Sequence, residues 1–161
     1  MKKVVSQPNS IRPSRSNERE RLLYVEDDDE NWHVAELRLG EDFELLRAAN
    51  ARDACRVLKE SGSGLIAILM DIELRGSELN GIELTELFRG KRQTRMLPEF
   101  ARNLPTFTNP IIFVTAHGAR YSDVELMLFG ADRVIQKPVN FNALSLALQS
   151  IQFAHHGAKK R

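Results

Sequence analysis

The sequence predicts an α/β fold in which helices cover both faces of a parallel sheet. Five short apolar segments alternate with five segments of helical spacing, and this alternation indicates right-handed strand–helix–strand units. The segment LIAILM at Leu65–Met70 is apolar at every position, which is typical of a parallel strand buried on both faces. The chain has 161 residues, of which 42% are hydrophobic and 28% charged, as expected for one domain with short extensions.

The strands are predicted from runs of apolar residues bounded by polar or turn-forming ones. The first follows a polar N-terminal stretch, the third ends at a lone aspartate, and the last is stopped by Pro138. The five predicted strands span residues 22–25, 43–48, 65–70, 109–116 and 132–138.

The helices are predicted from apolar residues at spacings of three and four, together with capping residues at their ends. Trp32, Ala35 and Leu39 share one face before Gly40. Asn50 is a candidate N-cap for the second helix, and Ser122 and Gly130 bound the fourth. The second helix carries an apolar stripe of Ala51, Ala54, Cys55 and Leu58, the third spans 81–90, and the last spans 140–153 with Leu144, Leu148 and Ile151 on one face.

Three segments lie outside this pattern. Residues 1–20 contain two prolines and several serines, and we interpret them as a flexible basic arm. Residues 89–108 are rich in charge and break the alternation, so we interpret them as a basic insertion with one helical turn near 97–103. Residues 154–161 form a basic tail, which leaves the domain at 21–153.

Composition excludes several classes of protein. No apolar run approaches the ~18 residues of a membrane span, and the N-terminal lysines precede no long apolar stretch of a secretory signal. Cys55 is the only cysteine and lies on the apolar helix stripe, so we interpret it as a core residue. We expect a cytoplasmic protein whose basic ends are solvated, and we expect neither membrane nor nucleic-acid binding.

Acidic residues follow two of the predicted strands. Glu26, Asp27, Asp28 and Asp29 come after the first strand, and Asp71 comes after the third. Ligands of open parallel sheets bind at the carboxyl ends of the strands, so acids on neighbouring strands would share one crevice. Crowded carboxylates favour a hard divalent cation such as Mg²⁺.

A hydroxyl and an ammonium group complete this predicted site. Thr115 follows the fourth strand and Lys137 the fifth. A metal ion, a carboxylate on a rigid strand end and a lysine together suit phosphoryl transfer to that carboxylate. Asp71 is the predicted nucleophile because it stands alone, and Glu26 and Asp27 are the predicted metal ligands because they are paired. Asp28 and Asp29 have a simpler interpretation as capping residues of the next helix.

The motifs LLYVEDD, AILMDIEL, NGIEL, IIFVTAHG and GADRVIQKP occur in an order that resembles a response-regulator receiver domain of two-component signalling. The resemblance implies a flavodoxin-like (βα)₅ fold with strand order 2-1-3-4-5. It also implies that Asp71 accepts a phosphoryl group from a histidine-kinase phosphohistidine while Mg²⁺ is bound. The metal ligands would be Glu26, Asp27, Asp71 and the backbone carbonyl of Glu73; Thr115 and Lys137 would bond the phosphoryl group, and Pro138 would be a cis-proline.

Three departures from the receiver pattern stand out. Arg75 occupies a position where receivers often have proline, in a loop with about two extra residues. Val134 occupies the switch position, where the family usually has an aromatic residue. The basic insertion precedes the fourth strand. Apart from these, His117 occupies a position that is variable in the family and tunes the phosphoryl lifetime, and its simpler interpretation is a solvated loop residue.

The expected function is that of a stand-alone receiver, with no enzyme activity beyond its own phosphorylation and dephosphorylation. Its partners would be a sensor histidine kinase or phosphotransfer protein and a downstream protein target, contacted through the fourth helix, fifth strand and fifth helix. A phosphorylation-dependent homodimer is one such contact. The alternatives are a pseudo-receiver that is not phosphorylated, and a haloacid-dehalogenase-type phosphatase built on Asp27 and Asp29.

Overall fold

The computed structural model describes residues 19–92, 96–116 and 120–158. Its core is a five-stranded sheet in the order β2-β1-β3-β4-β5, and all neighbouring strands are parallel. The strands are β1 (Glu20–Val25), β2 (Phe43–Ala48), β3 (Leu65–Met70), β4 (Ile111–Thr115) and β5 (Arg133–Gln136). The predicted fold class and strand order are confirmed.

Five α-helices connect and follow the strands. They are α1 (Asp29–Leu39), α2 (Ala51–Ser61), α3 (Gly81–Phe88), α4 (Asp123–Leu128) and α5 (Phe141–Ala158). Asn50 and Ser122 accept backbone hydrogen bonds as the N-caps of α2 and α4, as predicted. Helix α5 continues to Ala158, five residues beyond the predicted end at 153, because neither proline nor glycine follows Phe153 until Gly157.

Two apolar clusters sandwich the sheet. One contains α2 residues such as Cys55 and Leu58 and α3 residues such as Leu84 and Phe88. The other contains Trp32 and Leu39 of α1, together with α5 residues. Every residue of β3 is buried, which explains its unbroken apolar sequence.

The predicted insertion is folded against the first of these clusters. Leu97, Ala101 and Phe107 are buried there, and Glu99–Ala101 form a 3₁₀ turn within the stretch where a helical turn was predicted. The Arg89 guanidinium donates to the carbonyl oxygens of Phe107 and Asn109 at 2.6 and 2.9 Å. The segment therefore returns the chain to β4 through defined contacts, although residues 93–95 lie outside the described part.

Parts of other predicted segments also lie outside the described residues. These are residues 1–18 of the basic arm, residues 159–161 of the tail, and His117. Within the described ranges, no helix combines the length and the apolar character needed to cross a bilayer.

Gly81 at the start of α3 fixes the path of the chain after β3. Its N–H donates to the carbonyl oxygen of Ile72 at 2.8 Å. A Cβ atom at Gly81 would lie 1.9 Å from the carbonyl oxygen of Asp71, closer than any real contact. Only glycine therefore allows α3 to begin against the residue that ends β3.

We expect Gly81→Ala to lower the free energy of unfolding by about 2–4 kcal/mol, because the added methyl group must push α3 away from Asp71. Gly157→Ala in α5 is the matched control, since a Cβ there meets nothing within 4 Å. Urea unfolding followed by circular dichroism measures both. Equal stability of the two variants would contradict the close approach.

Candidate functional site

Carboxylates from two neighbouring strands meet at the carboxyl edge of the sheet. Val25 pairs with Met70 across β1 and β3, so the residues that follow, Glu26 and Asp71, are neighbours. The Asp71 N–H donates to the carbonyl oxygen of Val25 at 3.0 Å. Carboxylate oxygens of Glu26, Asp27 and Asp71 all lie within 4.8 Å of one another. These residues line a cleft of about 160 Å³.

Lys137 connects the fifth strand to this group. Its N–H donates to the carbonyl oxygen of Thr115 at 2.9 Å, which holds the residue beside the end of β4. Its Nζ lies 2.8 Å from Glu26 Oε2 and 2.8 Å from Asp71 Oδ2. One ammonium group therefore bridges two carboxylates that would otherwise repel each other.

The electrostatics of the bridge follow from its burial. Burial raises the pKa of Asp71 above its usual value, although the Lys137 ammonium partly offsets that rise. Burial by itself would lower the pKa of Lys137, but the hydrogen bonds to Asp71 and Glu26 outweigh it and the pKa is raised. Lys137 therefore keeps its charge while Asp71 is less acidic than a solvent-exposed aspartate.

Tyr24 is a member of the site that the sequence analysis missed. The side chain of Glu26 is fully buried, and the Tyr24 hydroxyl donates to Glu26 Oε2 at 3.0 Å. The Asp28 N–H donates to the other oxygen, Oε1, at 3.1 Å. Burial and the Glu26 charge raise the pKa of Tyr24, so the phenol keeps its proton. Alternation along β1 was the available signal, since residues two apart point to the same face.

Arg75 is a second member of the site, and the sequence did not predict its contacts with the acidic residues. Its Nε donates to Asp27 Oδ2 at 2.9 Å, and its NH2 group donates to Asp28 Oδ2 at 3.1 Å. Asp28 also caps α1 through the N–H of Asn31 at 2.9 Å, as its simpler interpretation predicts. The sequence places Arg75 in the loop after Asp71, but it does not show where a long, exposed side chain turns.

Of the remaining predicted residues, only Glu73 lines the cleft. Thr115 is buried at the end of β4, and Glu73 lines the cleft, with its N–H 3.4 Å from Asp71 Oδ1. Val134 is half-buried and pairs with Phe113 across β4 and β5. The Lys137–Pro138 peptide bond is cis.

Two other interpretations can be decided from the described side chains. Asp29 pairs with Arg47 at 2.6 Å, and its side chain is 81% exposed, so a phosphatase site built on Asp27 and Asp29 is not assembled. Cys55 is buried in the core, and burial raises the pKa of its thiol to about 11, as expected for a packing residue.

The residues of the cleft fit a divalent cation. Three carboxylates from two rigid strand ends supply hard oxygen ligands, and the cleft opens to solvent beside Asp27 and Glu73. Burial disfavours charge on Asp71, and a cation would relieve that cost.

Comparison with known proteins agrees with this geometry. The profile of the response regulator receiver domain matches residues 22–149. An NtrX-like response regulator of Rickettsia felis is 30% identical over 130 residues, a stretch that covers 80% of this chain and 24% of that protein. The chain therefore spans 24% of the length of this curated relative and of similar ones.

Solved structures give the same result. The receiver domain of a LuxO repressor protein from Vibrio parahaemolyticus has a TM-score of 0.69 at 19% identity, covering 89% of this chain and 98% of that chain. The receiver domain of a Pseudomonas aeruginosa sensor histidine kinase has a TM-score of 0.62 at 26% identity, covering 82% and 96%, and holds a magnesium ion in its active-site cleft. Sequence match, strand order and acidic cleft agree, and the chain belongs to the response regulator receiver domain family of two-component systems.

Proposed function

We propose that this receiver accepts a phosphoryl group on Asp71 from the phosphohistidine of a histidine kinase or phosphotransfer protein. The observation that carries the proposal is the convergence of Asp71, Glu26, Asp27 and Lys137 in one cleft. Receiver domains act with histidine kinases and downstream targets, so the family supports this class of partner.

Asp71 would act as the nucleophile. An oxygen of its carboxylate forms a bond to phosphorus while the bond from phosphorus to the imidazole nitrogen breaks, and the released imidazole takes a proton from solvent. Only 7% of Asp71 is exposed, and it ends a strand buried on both faces, so its position is fixed. A fixed nucleophile reduces the entropic cost of reaching the transition state.

The other cleft residues would stabilise charge. Mg²⁺, when bound, would neutralise carboxylate and phosphoryl oxygens, and its ligands would be Glu26, Asp27, Asp71 and the backbone carbonyl of Glu73. Lys137, which already contacts Asp71 at 2.8 Å, would pair with a phosphoryl oxygen. The Thr115 hydroxyl, buried at the end of the adjacent strand, would supply a further hydrogen bond.

The phosphorylated form would signal through a protein contact on α4, β5 and α5. Val124 and Leu128 of α4 and Leu146 of α5 are exposed apolar residues on these helices. Val134 carries no aromatic ring, so coupling from Thr115 to a rotating ring at that position would be absent. The new charge on Asp71 would instead shift the population of forms through Thr115 and Lys137 directly. A homodimer formed on phosphorylation is one form of this contact.

The alternative is a pseudo-receiver that binds a partner without phosphorylation. Val134 and the altered loop with Arg75 are its support, while the described residues retain the acids, Thr115 and Lys137. A cytoplasmic location remains our prediction. We also predict no enzyme activity beyond the protein's own phosphorylation and dephosphorylation.

Intact-mass measurement tests phosphorylation directly. With acetyl phosphate and Mg²⁺ the protein should gain the mass of one phosphoryl group, and Asp71→Asn should gain none, because the amide is a poor nucleophile. Asp53→Asn, an aspartate in the first turn of α2, is the matched control and should behave as wild type. No gain in the wild type would favour the pseudo-receiver.

The pH dependence of Asp71 tests the role of Lys137. Lys137→Met removes the cation that lowers the pKa of Asp71, while the burial that raises it remains, so the carboxyl should titrate at higher pH than in the wild type. Carbon-13 NMR of the Asp71 carboxyl group measures this. Lys59→Met, whose Nζ contacts the Phe100 carbonyl instead, is the control. A titration unchanged or moved to lower pH would contradict the bridge.

A further inference from the structure

Arg75 engages Asp27 with two separate donors. Its side-chain Nε lies 2.9 Å from Asp27 Oδ2, and its backbone N–H donates to the same oxygen at 3.1 Å. Its NH2 group reaches Asp28 Oδ2 at 3.1 Å. One guanidinium thus bridges the carboxylates of Asp27 and Asp28, as Lys137 bridges Glu26 and Asp71.

The two bridges differ in depth. The Lys137 side chain is 17% exposed and joins two buried carboxylates, whereas the Arg75 side chain is 76% exposed. The side chain of Asp27 is 11% exposed, so Arg75 approaches it from the solvent side of the cleft. The guanidinium can therefore leave Asp27 for water without disturbing the core.

The loop that carries Arg75 is anchored on both sides. Leu74 and Leu79 are buried in the apolar cluster beside α2 and α3. Gly76, directly after Arg75, has a positive φ of 68°, and no atom lies within 4 Å of where its Cβ would be. The backbone around Arg75 is thus held by its neighbours, while the side chain is exposed at the cleft mouth, where only Asp27 and Asp28 hold it among its described contacts.

A divalent cation and Arg75 would compete for the same oxygen. A metal ion that binds Asp27 through Oδ2 must displace the guanidinium, and an ion bound elsewhere on Asp27 would still be repelled by this nearby positive charge. Arg75 also reduces the repulsion among the acids, which is part of what a metal would gain by binding. Both effects weaken metal binding.

We propose that Arg75 is a built-in competitor for the divalent ion, which sets the Mg²⁺ concentration at which the cleft becomes occupied. The inference rests on the proposed function, because it requires that Asp27 be a metal ligand. It assigns Arg75 a positioning and regulatory role and leaves the phosphoryl chemistry to Asp71 and Lys137. Because Arg75 is exposed, its effect should weaken as salt screens the charges.

Trp32 provides a readout that does not depend on phosphorylation. It is the only tryptophan of the chain, and its ring lies 6.3 Å from the ring of Tyr24, which contacts Glu26. The Arg47 guanidinium lies 5.6 Å from the Trp32 ring centroid and donates to the Asp27 carbonyl oxygen at 3.3 Å. A change at Asp27 should therefore alter Trp32 fluorescence.

The experiment is a titration with MgCl₂ alone, at fixed ionic strength, of wild type, Arg75→Ala and Arg120→Ala. Arg120 is the matched control, since it is also exposed but pairs with the side chain of Glu73 at 3.9 Å rather than with Asp27 or Asp28. Arg75→Ala should lower the half-saturating Mg²⁺ concentration roughly three- to tenfold, and Arg120→Ala clearly less. The difference should shrink as KCl is raised.

Thermal unfolding gives a second measurement on the same proteins. In EDTA it verifies that Arg75→Ala is folded, and with added Mg²⁺ its melting temperature should rise more than that of the wild type. If both variants bind Mg²⁺ with the same half-saturating concentration, Arg75 does not compete with the ion, although the metal site itself stands. No response to Mg²⁺ in any of the three proteins would overturn the metal site and the competition with it.

Discussion

The bridge from Lys137 to Glu26 and Asp71 is the interaction on which the site depends. Its two contacts of 2.8 Å join the end of β5 to the ends of β1 and β3, so three strands converge on one ammonium group. Glu26 is fully buried, and burying a carboxylate without a partner would be costly. The Tyr24 hydroxyl and the Asp28 N–H donate further hydrogen bonds to the Glu26 carboxylate, so Lys137 can pair with Asp71 as well.

The fold supplies this convergence through its strand order. With β1 and β3 adjacent at the centre of the sheet, the residues after both strands lie side by side. Gly81 keeps α3 against the backbone of Asp71, and Arg89 at the end of α3 holds the segment before β4 through the carbonyls of Phe107 and Asn109. The described residues of the insertion therefore pack on the α2–α3 side of the sheet, and none of them lines the cleft.

The sequence predicted the sheet and the meeting of Glu26, Asp27 and Asp71 at its edge, because both follow from short local patterns. The apolar run of β3 and the lone Asp71 after it fix that strand, and the N-caps Asn50 and Ser122 fix two helices. Arg75 was not predicted as a partner of Asp27 because the direction of an exposed side chain depends on tertiary contacts. The insertion packs through apolar residues that have no regular spacing. The sequence therefore showed that the strand–helix pattern breaks there, but it did not show that the segment packs against α2 and α3. Helix α5 extends further than expected because nothing in its sequence marks an end at 153.

The direct interaction of Lys137 with Asp71 holds the ends of β3 and β5 together in the folded protein. A double-mutant cycle with Lys137→Met, Asp71→Asn and the double variant, measured by urea unfolding at neutral pH, tests it most directly. We predict a coupling free energy of about 1 kcal/mol or more, because the pair is largely buried and removal of Lys137 leaves the Asp71 carboxylate without its cation. Additive effects of the two substitutions, with a coupling near zero, would contradict the account.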